Sequence, residues 1–189
     1  MRKITVIIEQ LNECKRLILS SDTAALRMAL ILLDNAMEIL MYRKTLDEFL
    51  ANERYEKILD NARSTLPPDV FDKFKSDKTF PEIIETKRKR KILQYFDEKL
   101  VFLSETCSLI SEPISAVLSS LHRYRNETYH RDIIRNELLC PLAILYFEIS
   151  CDLMVELKHD GMMYSSNDDW TPFYQKYNLN KGGSIPDFL

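Results

Sequence analysis

Glycine is almost missing from this chain, and where it is missing constrains the fold. The 189 residues contain three, Gly161, Gly182 and Gly183, all beyond position 160. A loop that cradles a phosphate on backbone amides needs positions without a Cβ, and the first 160 residues have none. Walker A loops and dinucleotide-binding fingerprints are excluded. What the sequence offers instead is apolar residues repeating at helical spacing, with little of the period-2 alternation of strands.

The clearest segment is 22–51, where Leu26, Leu30, Leu33, Met37 and Leu40 follow one another at steps of 4, 3, 4 and 3. It contains neither Gly nor Pro, and Asp22 is placed to cap its start. A shorter helix is expected over 3–19. Pro67-Pro68 ends whatever precedes it, and 69–79 reads as a short helix or loop. A second long helix is expected from near Pro81 to Ile110, with Ile92, Phe96, Leu100, Leu103, Cys107 and Ile110 as its buried stripe. Pro113 suits the first turn of the next helix, with Ser111 before it as cap, and that helix runs to about Asn136. The last, 137–158, carries Leu138, Leu142, Leu145, Ile149, Leu153 and Leu157, with Pro141 near its first turn. The expected fold is all-α: an antiparallel bundle of four to five main helices over 1–158. Residues 159–189, with Trp170, Phe173, Tyr174 and Tyr177 among small and polar residues, read as a C-terminal tail packing on the bundle.

Charge narrows the partners. With 26 Lys+Arg against 29 Asp+Glu, a net charge of −3 argues against coating nucleic acid by bulk electrostatics, and leaves room for a local basic patch. Cys14, Cys107, Cys140 and Cys151 form no CxxC pair and have no histidine at zinc-finger spacing, so they read as reduced, mostly buried thiols. Neither a metal nor another cofactor is expected. The basic start MRKITVIIEQ is broken at Glu9 and Gln10 before it reaches signal-peptide length, and no run approaches the roughly 18 apolar residues of a membrane span. The expectation is a cytoplasmic protein with no membrane partner.

The polar break is the informative part: His122-Arg123-Tyr124-Arg125-Asn126-Glu127-Thr128-Tyr129-His130-Arg131-Asp132. At about 100° per residue, Asn126 and His130 lie about 40° apart on one helix face, whereas Arg125 lies about 140° from His130. Arg125-Asn126-x-x-x-His130 resembles the RNxxxH form of the Rx4-6H motif of the HEPN superfamily, helical bundles that carry this motif in a late helix. The segment 22–51, whose apolar run is broken by Asp34, Asn35 and Glu38, also resembles that family's early core helix.

The resemblance implies a metal-independent endoribonuclease of the toxin–antitoxin or phage-defence type. In that chemistry the RNA 2′-OH attacks the adjacent phosphate, leaving a 2′,3′-cyclic phosphate and a 5′-OH, so DNA is not a substrate. His130 is implied as general acid or base, since an imidazole titrates near neutral pH. Arg125 is implied to hold the phosphate with its planar cationic fork, and Asn126 to orient the imidazole or a phosphate oxygen. A homodimer with a composite site across a two-fold axis is implied as well. Neither Arg125 nor His130 is expected to be core. The chain departs from toxins silenced by tyrosine modification, because Asp132 stands where they carry the tyrosine.

Arg123 and Arg131 are candidate RNA contacts beside the motif. Lys87, Arg88, Lys89, Arg90 and Lys91 form a basic run that either guides RNA or binds an acidic antitoxin or regulatory protein. It reads equally as a solvated turn balanced by Glu82, Glu85, Asp97 and Glu98. Three other readings stay open: a non-catalytic HEPN-like module binding a nucleotide or protein, a helical scaffold or regulatory subunit whose long apolar helices serve oligomerisation alone, and a solvated helix end in which Arg125 and Arg131 pair with Glu127 and Asp132 and His130 is a surface histidine. His122 and His159 lack comparable neighbours in the sequence and read as structural or surface residues.

Overall fold

The structure, a computed structural model, describes residues 2–76, 84–131 and 136–158. All regular structure among them is helical: α1 (Arg2–Ser20), α2 (Thr23–Thr65), α3 (Pro68–Ser76), α4 (Thr86–Gln94), α5 (Phe96–Val101) continuing into a π-helical turn (Phe102–Thr106), α6 (Glu112–His130) and α7 (Asn136–Lys158). The tail after residue 158, with His159 and its aromatics, lies outside the described residues, as do Glu82 and Asp132.

Helix α2 is the axis of the molecule. Its 43 residues span about 65 Å at 1.5 Å rise. It runs on past the expected end at 51 because nothing between there and Pro67 breaks it. Asp22 caps it as expected, its carboxylate accepting from the amides of Ala24 and Ala25 at 3.0 and 3.1 Å. Leu26, Leu30, Leu33, Met37 and Leu40 are all buried, and α1, α5, α6 and α7 pack around them. With no glycine available, Ser21 takes the left-handed conformation (φ 55) that turns the chain from α1 into α2.

The expected helix from 81 to 110 is divided. At Tyr95 the backbone is extended (φ −111, ψ 140), separating α4 from α5. A lysine compensates the break: Lys99, buried at 1% exposure, donates from Nζ to the Leu93 carbonyl at 3.1 Å and to Glu38 Oε1 at 3.3 Å. The anticipated stripe is buried even so, apart from half-buried Cys107.

Helix α7 faces inward differently from its expected stripe. Leu138 and Leu145 are exposed, while Leu139, Ala143, Tyr146, Phe147 and Met154 join Ile149, Leu153 and Leu157 in the core. The sequence-based statement that no run approaches membrane-spanning length is also corrected. Asn136–Leu157 meets that criterion by length and composition, with mean hydropathy 1.8, and half of it is buried against the rest of the protein. That burial is the pattern of a core helix. The four cysteines are free. Burial pushes Cys14, Cys107 and Cys151 up to about 12, so these thiols stay protonated near neutrality.

Replacing Asp22 by Ala removes the acceptor for two amides at the head of α2. We expect a loss of about 1 kcal/mol, read as a lower urea midpoint with an unchanged slope.

Candidate functional site

The polar residues that interrupt the two central helices meet at one point. Asp34 lies among leucines on α2 and is fully buried, a position that charges occupy only when paired. Its carboxylate accepts three bonds. His122 Nδ1 donates to Oδ1 at 2.8 Å, the Tyr146 hydroxyl donates to the same oxygen at 2.9 Å, and Arg125 Nη2 donates to Oδ2. Helix α6 supplies His122 and Arg125, and α7 supplies Tyr146. Helix α5 closes the set, because the Phe96 ring stacks on the His122 imidazole at 4.0 Å with the planes 6° apart.

Asn126 links the two α6 donors. Its Oδ1 accepts from Arg125 Nη1 at 2.7 Å, and its Nδ2 lies 3.1 Å from His122 Nε2. A guanidinium only donates, so Asn126 must turn its oxygen to Arg125 and its amide to His122. His122 Nε2 is then an acceptor, which leaves the Nδ1 hydrogen for Asp34. Each member fixes the orientation of the next.

Burial alone would raise the Asp34 carboxyl. The His122 hydrogen bond, followed by the Arg125 guanidinium, outweighs it and holds the group below its ordinary value of 3.8. Tyr146 is pushed the other way, well above 10.0, by burial and then by the Asp34 charge, so its hydroxyl remains a donor.

The structure therefore brings Arg125 and Asn126 together and leaves His130 apart. His130 is exposed in the last turn of α6, and its described contact is an edge-on one with the exposed Tyr129 ring at 5.0 Å. Arg125 is half-buried, not exposed beside the motif. Its side chain is 18% exposed, and its partner is Asp34, not Glu127. The view that His122 lacks partners is also overturned, since it touches Asp34, Asn126 and Phe96. The available signals were Asp34 interrupting an apolar stripe and His122 standing four residues before Asn126 on one helix face.

Arg123 and Arg131 are exposed near the same end of α6. The basic run sits elsewhere. Lys89 pairs with Glu53 at 3.1 Å and lies over the Phe49 ring, and Lys91 pairs with Glu98. Lys87, Arg88 and Arg90 are exposed. Arg27, which binds the Thr128 carbonyl, and Glu53 are 26 residues apart on α2, or about 39 Å. That distance is several screening lengths at physiological salt. A cleft of about 530 Å³ between α5 and the front half of α6 is lined by Asp97, Glu105 and Glu112, an acidic rim that repels a polyanion.

Among the described residues, no group of three or more His, Cys, Asp or Glu is arranged to hold a metal ion. Comparison with protein-family models, curated proteins and solved structures returns no match.

Removing one partner of a buried pair strands the other. Asp34→Ala and Arg125→Ala are each expected to lower unfolding free energy by about 3–5 kcal/mol, measured by urea titration. Because the Asp34 carboxyl is lowered on folding, its stabilisation is fully present above its unfolded value and is lost as pH falls below 3.8. The wild-type acid transition should therefore shrink in Asp34→Asn over that window, and an unchanged acid limb would refute the assignment.

Proposed function

We propose that this protein is a metal-independent endoribonuclease of the HEPN kind. It is read as an antiparallel bundle of four to five main helices acting in the cytoplasm as a homodimer, with toxin or defence activity held in check by an antitoxin or regulatory protein. The observation that carries this reading is the contrast along α6. Arg125 and Asn126 are locked by a buried carboxylate, whereas His130, one turn beyond Asn126, is open to solvent. A group that moves a substrate proton must be reachable, and one that holds a phosphate gains from being fixed beforehand.

In the proposed reaction His130 takes the proton from the ribose 2′-OH. The 2′-oxygen then bonds to phosphorus as the bond to the 5′-oxygen breaks, and a protonated His130 of a second copy supplies the leaving oxygen's proton. Arg125 stabilises the charge developing on the phosphate, Asn126 fixes the geometry, and Arg123 and Arg131 hold the flanking backbone. In this reading the run Lys87–Lys91 contacts a distal stretch of RNA or an acidic partner.

One observation favours a second reading. Both terminal nitrogens of Arg125 are already engaged by Asp34 and Asn126, which suits a HEPN-like module that binds a nucleotide or protein without turnover.

Wild-type and His130→Ala proteins incubated with mixed single-stranded RNA in EDTA discriminate the two. We expect wild type alone to cleave, leaving 2′,3′-cyclic phosphate ends, with His130→Ala slower by at least about 100-fold and unchanged in melting temperature. Ligand-induced stabilisation without any cleavage would select the binding module.

A further inference from the structure

Beside the Asp34 centre, between α2 and α6, is a small hollow lined by Arg27, Leu30, Ile31, Arg125, Thr128 and Tyr129. Its volume is about 10 Å³, space for a single oxygen-sized group. The polar atoms around it are incompletely satisfied. Thr128 is 3% exposed, and its Oγ1 is buried without a hydrogen-bond partner. Arg125 Nε is likewise buried and unpartnered, although both its Nη atoms are engaged. Buried donors left in this state lower stability unless something fills them, so each calls for an explanation.

The chemistry of the lining selects the occupant. An N–H of Arg125 can only donate, and a threonine hydroxyl can donate as well, so an acceptor in the hollow suits the lining. Of the two charged side chains of the lining, Arg125 is paired with Asp34, and Arg27 adds a second positive charge. Arg27 is held at the hollow by its Nη2, which donates to the Thr128 carbonyl at 3.1 Å. Leu30 and Ile31 supply an apolar wall that a hydrated cation would not tolerate. The fitting group is one acceptor oxygen, and the Arg27 charge favours an anionic one.

We infer that this hollow is an oxyanion subsite that receives a non-bridging oxygen of a phosphodiester, with Arg27 and Thr128 as binding residues. The choice of a phosphodiester rests on the ribonuclease reading, since Arg125 of the motif lines the hollow. The anion site itself does not require cleavage. Helix α2 thereby contributes to substrate binding through a residue outside the RNxxxH motif.

The test uses the whole protein and the variants Arg27→Gln and Thr128→Val. Melting temperature is followed in sodium phosphate against sodium chloride at matched ionic strength. Binding of a short labelled oligothymidylate, which carries phosphodiesters but no 2′-OH, is followed by anisotropy. Thr128→Val is expected to melt no lower than wild type without ligand, because valine keeps the shape and removes the orphan hydroxyl, so it decides the matter even if Arg27→Gln folds poorly. We expect phosphate to stabilise the wild type, and each variant to weaken oligonucleotide binding by about tenfold or more. Equal affinity in all three proteins overturns the subsite. Binding of inorganic phosphate without the oligonucleotide overturns the phosphodiester assignment. Binding that depends on Arg27 and Thr128 while RNA stays intact sinks the ribonuclease reading and leaves the subsite standing.

Discussion

A carboxylate with no exposure to water organises this molecule. Asp34 lies on the buried face of the longest helix, where an unpaired charge would be prohibitive, so the fold is acceptable only if donors arrive from elsewhere in the chain. They come from 88, 91 and 112 positions away, in His122, Arg125 and Tyr146. Satisfying one group thus fixes the rotation and the height of α6 and α7 against α2, and through the Phe96–His122 stack it fixes α5 too. Apolar packing alone tolerates sliding of one helix past another; a three-donor carboxylate does not.

The same centre divides labour along α6. Arg125 and Asn126 point into the protein and are immobilised, while His130 stands beyond the last fully buried turn. Because Asp34 and Arg125 carry opposite charges, the buried part of the site is close to neutral. The positive potential at that end comes from Arg27, Arg123 and Arg131. A polyanion arriving there meets cations at the surface and oriented, already-solvated dipoles beneath them. A preorganised site needs that order, since its buried groups do not rearrange when the ligand binds.

How much of this was legible in the sequence follows from the range over which each determinant acts. Asp22 as a cap and the stripe Leu26, Leu30, Leu33, Met37 and Leu40 depend on neighbours within a turn or two, and both stood in plain view. The break at Tyr95 was hidden. No breaker residue marks it, and the freed Leu93 carbonyl is met by Lys99, whose burial depends on Glu38 sixty-one positions earlier. In α7 the residues are apolar on nearly every side, so periodicity could not choose between the Leu138–Leu145 face and the Leu139–Tyr146 face. The Tyr146 hydroxyl bonded to Asp34 made the choice. For the site, the motif exposed Arg125, Asn126 and His130 together, but the fold separates them by environment. His122 carried only its spacing to Asn126 as a signal, and Arg27 carried none, because Asp34 and the Thr128 carbonyl lie across the helix packing, not along the chain.

The length of α2 carries a mechanical consequence. Its buried residues end at Asn52, so among the described residues positions 53–65 form about 20 Å of helix with α3 alongside and no buried side chain. Opening that arm breaks none of the bonds around Asp34. The chain is therefore built as a rigid block with a soft extension, and its amides should exchange with solvent on two separate timescales: those of the arm through local fraying, and those around Leu30 to Met41 only when the whole block unfolds.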